Sequence, residues 1–189
     1  MASKRNIFEE VGSDTKITSA SAGAIARAGS GDRHWVRLWL WSLVGLIVVM
    51  ITVGGLTRLT DSGLSITEWD PVMGAIPPLN AAAWQAAFAA YQATAEFAVQ
   101  NASMSLAEFK VIFWWEWGHR QLGRFIGLTW ALGLALLFFT GKLPKARRLS
   151  LFAIGPFIGL QGFIGWLMVN SGLDGVRLDV ASYWLMAHL

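Results

Sequence analysis

The chain contains no cysteine. Disulfides, iron–sulfur clusters and thiolate metal sites are therefore excluded within these residues. Histidine is scarce, with three in 189 residues, and tyrosine scarcer, with two. Charge is also low. Asp, Glu, Lys and Arg make up 14% of the chain against 54% hydrophobic residues, where a soluble domain carries about 25% charged residues. No apolar h-region occurs in the first 32 residues, so no cleavable signal peptide is expected. Rich in Ser, Ala, Gly and charge, residues 1–33 read as a disordered cytoplasmic tail. The net charge of +3 does not point to nucleic acid, because the cations flank apolar runs as loop charges do in membrane proteins.

What is abundant agrees with a bilayer. Eleven tryptophans suit the membrane interface, where the indole ring is apolar and its N–H stays wet. Apolar runs at about 36–56, 117–140 and 151–169 each approach the roughly 20 residues that cross a hydrocarbon core. A fourth begins near Ala181 and stops at Leu189. Nine residues give about 13 Å of helix at about 1.5 Å each, too little to span. The expectation is an all-α, polytopic transmembrane four-helix bundle over residues 34–189 with an incomplete fourth helix.

Lysine and arginine set the orientation. Lys4, Arg5, Lys16, Arg27, Arg33 and Arg37 precede the first run, and Lys142, Lys145, Arg147 and Arg148 follow the second. Both segments are expected to be cytoplasmic. The loop over 57–104, and the one near Asp174, Arg177 and Asp179, are expected outside. The long outer loop carries Pro71, Pro77 and Pro78 and a helical patch, Ala81–Tyr91, with Trp84, Phe88 and Tyr91 on one stripe. That stripe either packs on the bundle or touches a cofactor. Ser105 and Glu108 fit a capping box, so the second helix starts before the membrane.

His34 sits among charges and reads as a solvated residue. His119 and His188 lie in apolar sequence at the outer ends of helices, where an ionisable group usually serves a site. Two imidazoles from neighbouring helices can take both axial positions of a haem iron. They could equally bind another metal or hydrogen-bond within the bundle. Glu116 lies three residues before His119, on the same helix face. A buried carboxylate there can accept a proton or stabilise positive charge on a reacting carbon; the plainer role is to hold a histidine N–H. Arg120 and Arg124 could bind haem propionates, pair with Glu116, or snorkel to headgroups. Gly123 with Gly127, and Gly155 with Gly159, permit close helix approach or a flat macrocycle against a glycine face.

Four tracts resemble the haem A synthase family in order and spacing. They are Gly54–Ser65 (GGLTRLTDSGLS), Phe109–Arg124 (FKVIFWWEWGHRQLGR), Leu160–Leu173 (LQGFIGWLMVNSGL) and Tyr183–Leu189 (YWLMAHL). The absence of cysteine resembles the proteobacterial and mitochondrial branch. The resemblance implies a membrane enzyme that oxidises a ring methyl of haem O to the formyl group of haem A, for terminal oxidases. It implies two tandem four-helix bundles, eight helices in all, each with a histidine pair. The first receives the substrate haem and the second a haem b. By the same resemblance His119 and His188 are the iron ligands, Glu116 is the catalytic carboxylate, and Arg58 joins Arg120 and Arg124 as a haem-binding candidate. Implied partners are haem O, membrane lipid, haem O synthase and terminal oxidase assembly proteins, in a bacterial inner membrane, with self-association left open. The second bundle lies outside this sequence, so a fragment of a longer protein is the expectation. The alternatives are an electron-carrying membrane cytochrome b, which has no use for Glu116, and a non-catalytic haem-holding assembly protein.

Overall fold

The computed structural model describes residues 30–174 and 178–189. Among the described residues six α-helices run in the order α1 (Ser30–Leu59), α2 (Ala81–Gln92), α3 (Ala95–Gln100), α4 (Leu106–Phe139), α5 (Arg148–Gly172) and α6 (Ser182–His188). No strand occurs among the described residues. Three segments, Arg33–Leu59, Leu106–Phe139 and Lys145–Gly172, are long and apolar enough to cross a membrane. Their lipid-facing surfaces carry large apolar side chains such as Trp41, Val48, Leu132, Leu136 and Phe157, all exposed. In water such a surface would drive aggregation; in a bilayer it is the favourable one. The protein is therefore an all-α membrane helical bundle.

Helix α1 begins at Ser30, inside the segment expected to be tail; residues 1–29 of that tail, and Arg177, lie outside the described residues. Helix α1 packs on α4, α4 on α5, and α5 on α6. At the end away from the long loop, the core is Val36, Trp39 and Leu43 of α1 against Ile126, Leu134 and Leu137 of α4, closed by Leu143 and Leu151. Two tryptophans key these helices together in the same way. The Trp39 indole N–H donates to the Thr129 carbonyl at 3.0 Å, and its ring occupies the space a side chain at Gly133 would need. The Trp130 N–H donates to the Leu151 carbonyl at 3.1 Å, with its ring over Gly155. Each donor is satisfied where no water is available, and the glycine four residues on admits the ring. Of the two glycine pairs singled out above, Gly123 meets Met50 and Gly155 meets Trp130, while Gly127 and Gly159 face open space.

The turn between α4 and α5 reverses at Gly141, whose φ is +72°. Its amide donates to the Phe138 carbonyl at 3.1 Å and the Leu143 amide to the Leu137 carbonyl at 3.0 Å, capping orphan carbonyls of the helix end.

On the opposite, loop face, α2 and α3 fold onto the first three turns of α4. Phe88, Tyr91, Phe109, Ile112 and Phe113 form that core, and Trp84 meets Phe113 edge-on at 4.9 Å. The Trp84, Phe88 and Tyr91 stripe thus packs on the bundle. Each of these helices has a side-chain cap. Asn80 accepts from Ala83 N at 2.8 Å and Thr94 from Phe97 N at 3.2 Å. Ser105 and Glu108 form the expected capping box. Each cap contributes about 1 kcal/mol. The box starts α4 eleven residues before the expected span, and that added length is the part roofed by α2.

Candidate functional site

Helix α4 carries Glu116, His119, Arg120, Gln121 and Arg124 over just over two turns. Glu116 is 2% exposed. One carboxylate oxygen, Oε2, accepts from Ser65 Oγ at 2.7 Å and from the Ile66 backbone N–H at 2.7 Å. The other, Oε1, is paired with Arg120 Nη2 at 2.5 Å. A buried carboxylate without such partners would be strongly unfavourable. Here two neutral donors and a guanidinium compensate it.

Arg120 does more than pair Glu116, and Arg124 joins it in holding the loop. Arg120 also donates to the Glu68 carbonyl at 3.0 Å and the Ile66 carbonyl at 2.8 Å, and its guanidinium lies 5.4 Å from the Trp69 ring centre. Arg124 donates to the carbonyls of Pro71 and Asp70, both at 3.0 Å. Gln121 reaches those of Gly74 and Ala75 at 3.2 and 3.1 Å. Residues 66–75 are therefore strapped to α4 by three side chains. A cavity of about 30 Å³ remains beside the strap, lined by Arg120, Trp166 and Asn170 among others; that is room for a water or two.

His119 and His188 come together from α4 and α6, with ring centres 6.3 Å apart and planes at 72°. Helix α6 is docked by two hydrogen bonds to α5: the Ala181 N–H donates to Ser171 Oγ at 3.0 Å, and the Gln161 amide donates to the His188 carbonyl. Each imidazole lies against a glycine. A methyl group at Gly54 would sit 3.2 Å from His119 Nε2, and one at Gly165 would sit 2.8 Å from His188 Cε1. His188 Nδ1 is buried with no hydrogen-bond partner among the described residues.

This spacing would let the two imidazoles hold one metal between them. Two metal–nitrogen bonds of about 2 Å, plus about 1 Å from each nitrogen to its ring centre, add to about 6 Å. Among the described residues no three His, Cys, Asp or Glu gather to hold a bare ion. A pair alone suits a metal whose remaining ligands arrive with it, as the four porphyrin nitrogens do.

Arg58 has a different place. It is about half exposed and bridges Asp61 at 3.2 Å and Asp179 at 3.1 Å, tying the end of α1 to the segment entering α6. His34 is exposed and meets Trp35 edge-on at 5.8 Å. Ser65, the Ile66 amide and Gln121 were assigned no role from sequence, although Ser65 closes the Gly54–Ser65 tract. A polar trio on the loop face, with Tyr91 and Glu96 buried, was missed as well. The Tyr91 hydroxyl donates to Glu96 at 2.9 Å and accepts from Asn101 at 2.8 Å. Burial pushes the Glu96 carboxyl up to about 7 and the Tyr91 hydroxyl well above its ordinary value.

The class defined by this arrangement is a helical membrane bundle with a histidine pair between two helices and a buried, ion-paired glutamate beside it. The COX15-CtaA family, cytochrome oxidase assembly protein, matches residues 37–189. The chain belongs to that family. It is 57% identical to the heme A synthase of Dinoroseobacter shibae, with all of this chain and 50% of that protein covered. It is 54% identical to the heme A synthase of Cereibacter sphaeroides, over 98% of this chain and 48% of that protein. Against the heme A synthase of Roseobacter denitrificans the identity is 53%, over 100% and 50%. The chain thus spans about half the length of the curated relatives it matches. No solved structure matches it.

Proposed function

We propose that this chain is the first, substrate-handling bundle of a haem A synthase, which oxidises a ring methyl of haem O to a formyl group. The observation that carries the reading is the histidine pair, 6.3 Å apart on α4 and α6, suited to axial ligation of the substrate's iron. The 52–57% identity to heme A synthases over the whole chain supports it. A haem b would belong to a second bundle beyond these residues. Lys142, Lys145, Arg147 and Arg148 between α4 and α5 support an orientation with that loop and the N-terminus in the cytoplasm of a bacterial inner membrane. The haem site then lies toward the periplasmic face.

His119 and His188 hold the iron, and through it the macrocycle, so that one methyl meets the same residue in every turnover. Glu116 would place a negative charge beside the reacting methyl carbon, or take the proton its C–H bond gives up, while the electrons pass to an oxidant that these residues do not supply. In a water-poor site that interaction is stronger than in bulk. Arg120 and Arg124 hold the strap over the site; Arg58 fixes the approach to α6.

The test is Glu116→Gln in the full-length protein, expressed in a strain without its own synthase, with extracted haems separated by chromatography. The substitution keeps the shape and removes the charge. Haem content is expected to persist, with haem O or a hydroxylated product accumulating and turnover down by about 10²–10³. A normal haem A yield would leave Glu116 a structural residue, and no haem A from the unsubstituted protein would reopen the electron-carrier reading.

A further inference from the structure

Resting on the reading of Glu116 as the reacting carboxylate, we propose that Ser65 is a positioning residue, which together with the Ile66 amide locks one Glu116 oxygen so that only the other faces substrate. A carboxylate offers about four acceptor positions. Oε2 uses two of them, on Ser65 Oγ and Ile66 N–H, both at 2.7 Å. Oε1 uses one, on Arg120. A single acceptor position is left, and it is on Oε1.

The geometry makes Ser65 the adjustable part of this seat. Its hydroxyl has one proton and two acceptors in reach, Glu116 Oε2 at 2.7 Å and the Ile112 carbonyl at 3.4 Å. The shorter contact, to a charged acceptor, is far the stronger. Ser65 is 2% exposed, so no water replaces the hydroxyl when it is removed. The backbone it belongs to is fixed independently. Ser65 N donates to the Ser62 carbonyl, and the strap beyond it is held by Arg120, Gln121 and Arg124. Removing the hydroxyl therefore leaves the strap in place and weakens the hold on Oε2, which keeps the Ile66 N–H alone, so the terminal torsion of the carboxylate, broad and poorly self-determined, is less closely fixed. A reacting group turned away by even a small angle loses the benefit of orientation while substrate binding, carried by the histidines, is untouched.

The experiment uses the full-length enzyme carrying Ser65→Ala, Ser65→Thr, Glu116→Gln and the Ser65→Ala, Glu116→Gln double substitution. Ser65→Ala is expected to lower kcat by about 10-fold, as loss of one hydrogen bond to a charged group does. KM and the low-spin haem spectrum should not move, and the ratio of hydroxylated product to haem A should rise. Ser65→Thr, which keeps the hydroxyl, should restore kcat. On the Glu116→Gln background, Ser65→Ala should add nothing. If Ser65→Ala fails to assemble, Ser65→Cys, of similar volume but a weak donor, carries the same expectation. Wild-type kcat in Ser65→Ala alongside a crippled Glu116→Gln would overturn the Ser65 assignment alone. Normal turnover in Glu116→Gln would instead overturn the reading beneath it.

Discussion

Glu96→Gln is expected to make the loop-face helices more stable at neutral and alkaline pH, and to flatten their pH dependence. Glu96 is 5% exposed and Tyr91 fully buried. Burial is the main reason the Glu96 carboxyl titrates at about 7; the negative charges of Glu116, Asp179 and Asp61 add to it, and the Tyr91 hydrogen bond opposes it. In the unfolded chain the group returns to the ordinary value of 4.5. Between those two values the folded state binds more protons than the unfolded one. The stabilisation is therefore complete below about 4.5 and is lost as pH rises through about 7. Each pH unit in that window is worth about 1.4 kcal/mol, so the whole effect is at most about 3 kcal/mol. Glutamine mimics the protonated acid and still accepts the Tyr91 hydroxyl. The assay is thermal unfolding in detergent at pH 5 and pH 8, with amide exchange over residues 81–101 to localise the change. Wild type should lose stability between the two pH values relative to Glu96→Gln. Parallel curves for the two proteins would mean that Glu96 is ionised throughout, and the argument from its burial would fall.

Gly133→Ala should destabilise the bundle by about 1–3 kcal/mol, because its methyl group needs the space of the Trp39 indole; adding Trp39→Leu should recover part of the lost melting temperature. Gly165→Ala places a methyl 2.8 Å from His188 Cε1, so in the full-length protein it should displace that ring and weaken the low-spin haem spectrum. Gly45→Ala, in open space on α1, should leave the spectrum unchanged.

The spanning helices were legible because a membrane helix declares itself by a continuous apolar run, and α1, α4 and α5 are such runs. Their ends were less so. Helix α4 extends outward to Leu106 through Glu108 and Lys110, charges that end a hydropathy window. Lys110 lies 5.0 Å from the Trp84 ring and Glu108 caps the helix, so both charges are spent without leaving the helical path. The capping box was the local signal that pointed past them. Of the site, the residues readable singly were the rare ones: two histidines and one glutamate in apolar sequence. The pairing of His119 with His188 follows from α6 lying on α5, beside α4. The seat of Glu116 was not readable, since Ser65 is fifty-one residues away and a serine carries no periodicity that names a distant partner.

The arginines show where the missing signal lay. From α4 alone, Arg120 and Arg124 were open to propionates, to Glu116 or to headgroups. The deciding fact lies in the strap. Residues 66–75 hold a single turn of 3₁₀ helix, Met73–Ala75, and the stretch from Ile66 to Asp70 has no regular structure. Pro71, Pro77 and Pro78 interrupt or follow it. A segment with no ladder of its own leaves carbonyls without partners, and against a membrane bundle these must find donors in side chains. Arg120, Gln121 and Arg124, on one side of α4, are the donors that meet Ile66, Glu68, Asp70, Pro71, Gly74 and Ala75. A proline-punctuated loop following a spanning helix therefore demands donors on the next one. By that reasoning the guanidiniums of Arg120 and Arg124 belong first to the loop, and any hold on haem carboxylates uses only what the strap leaves free.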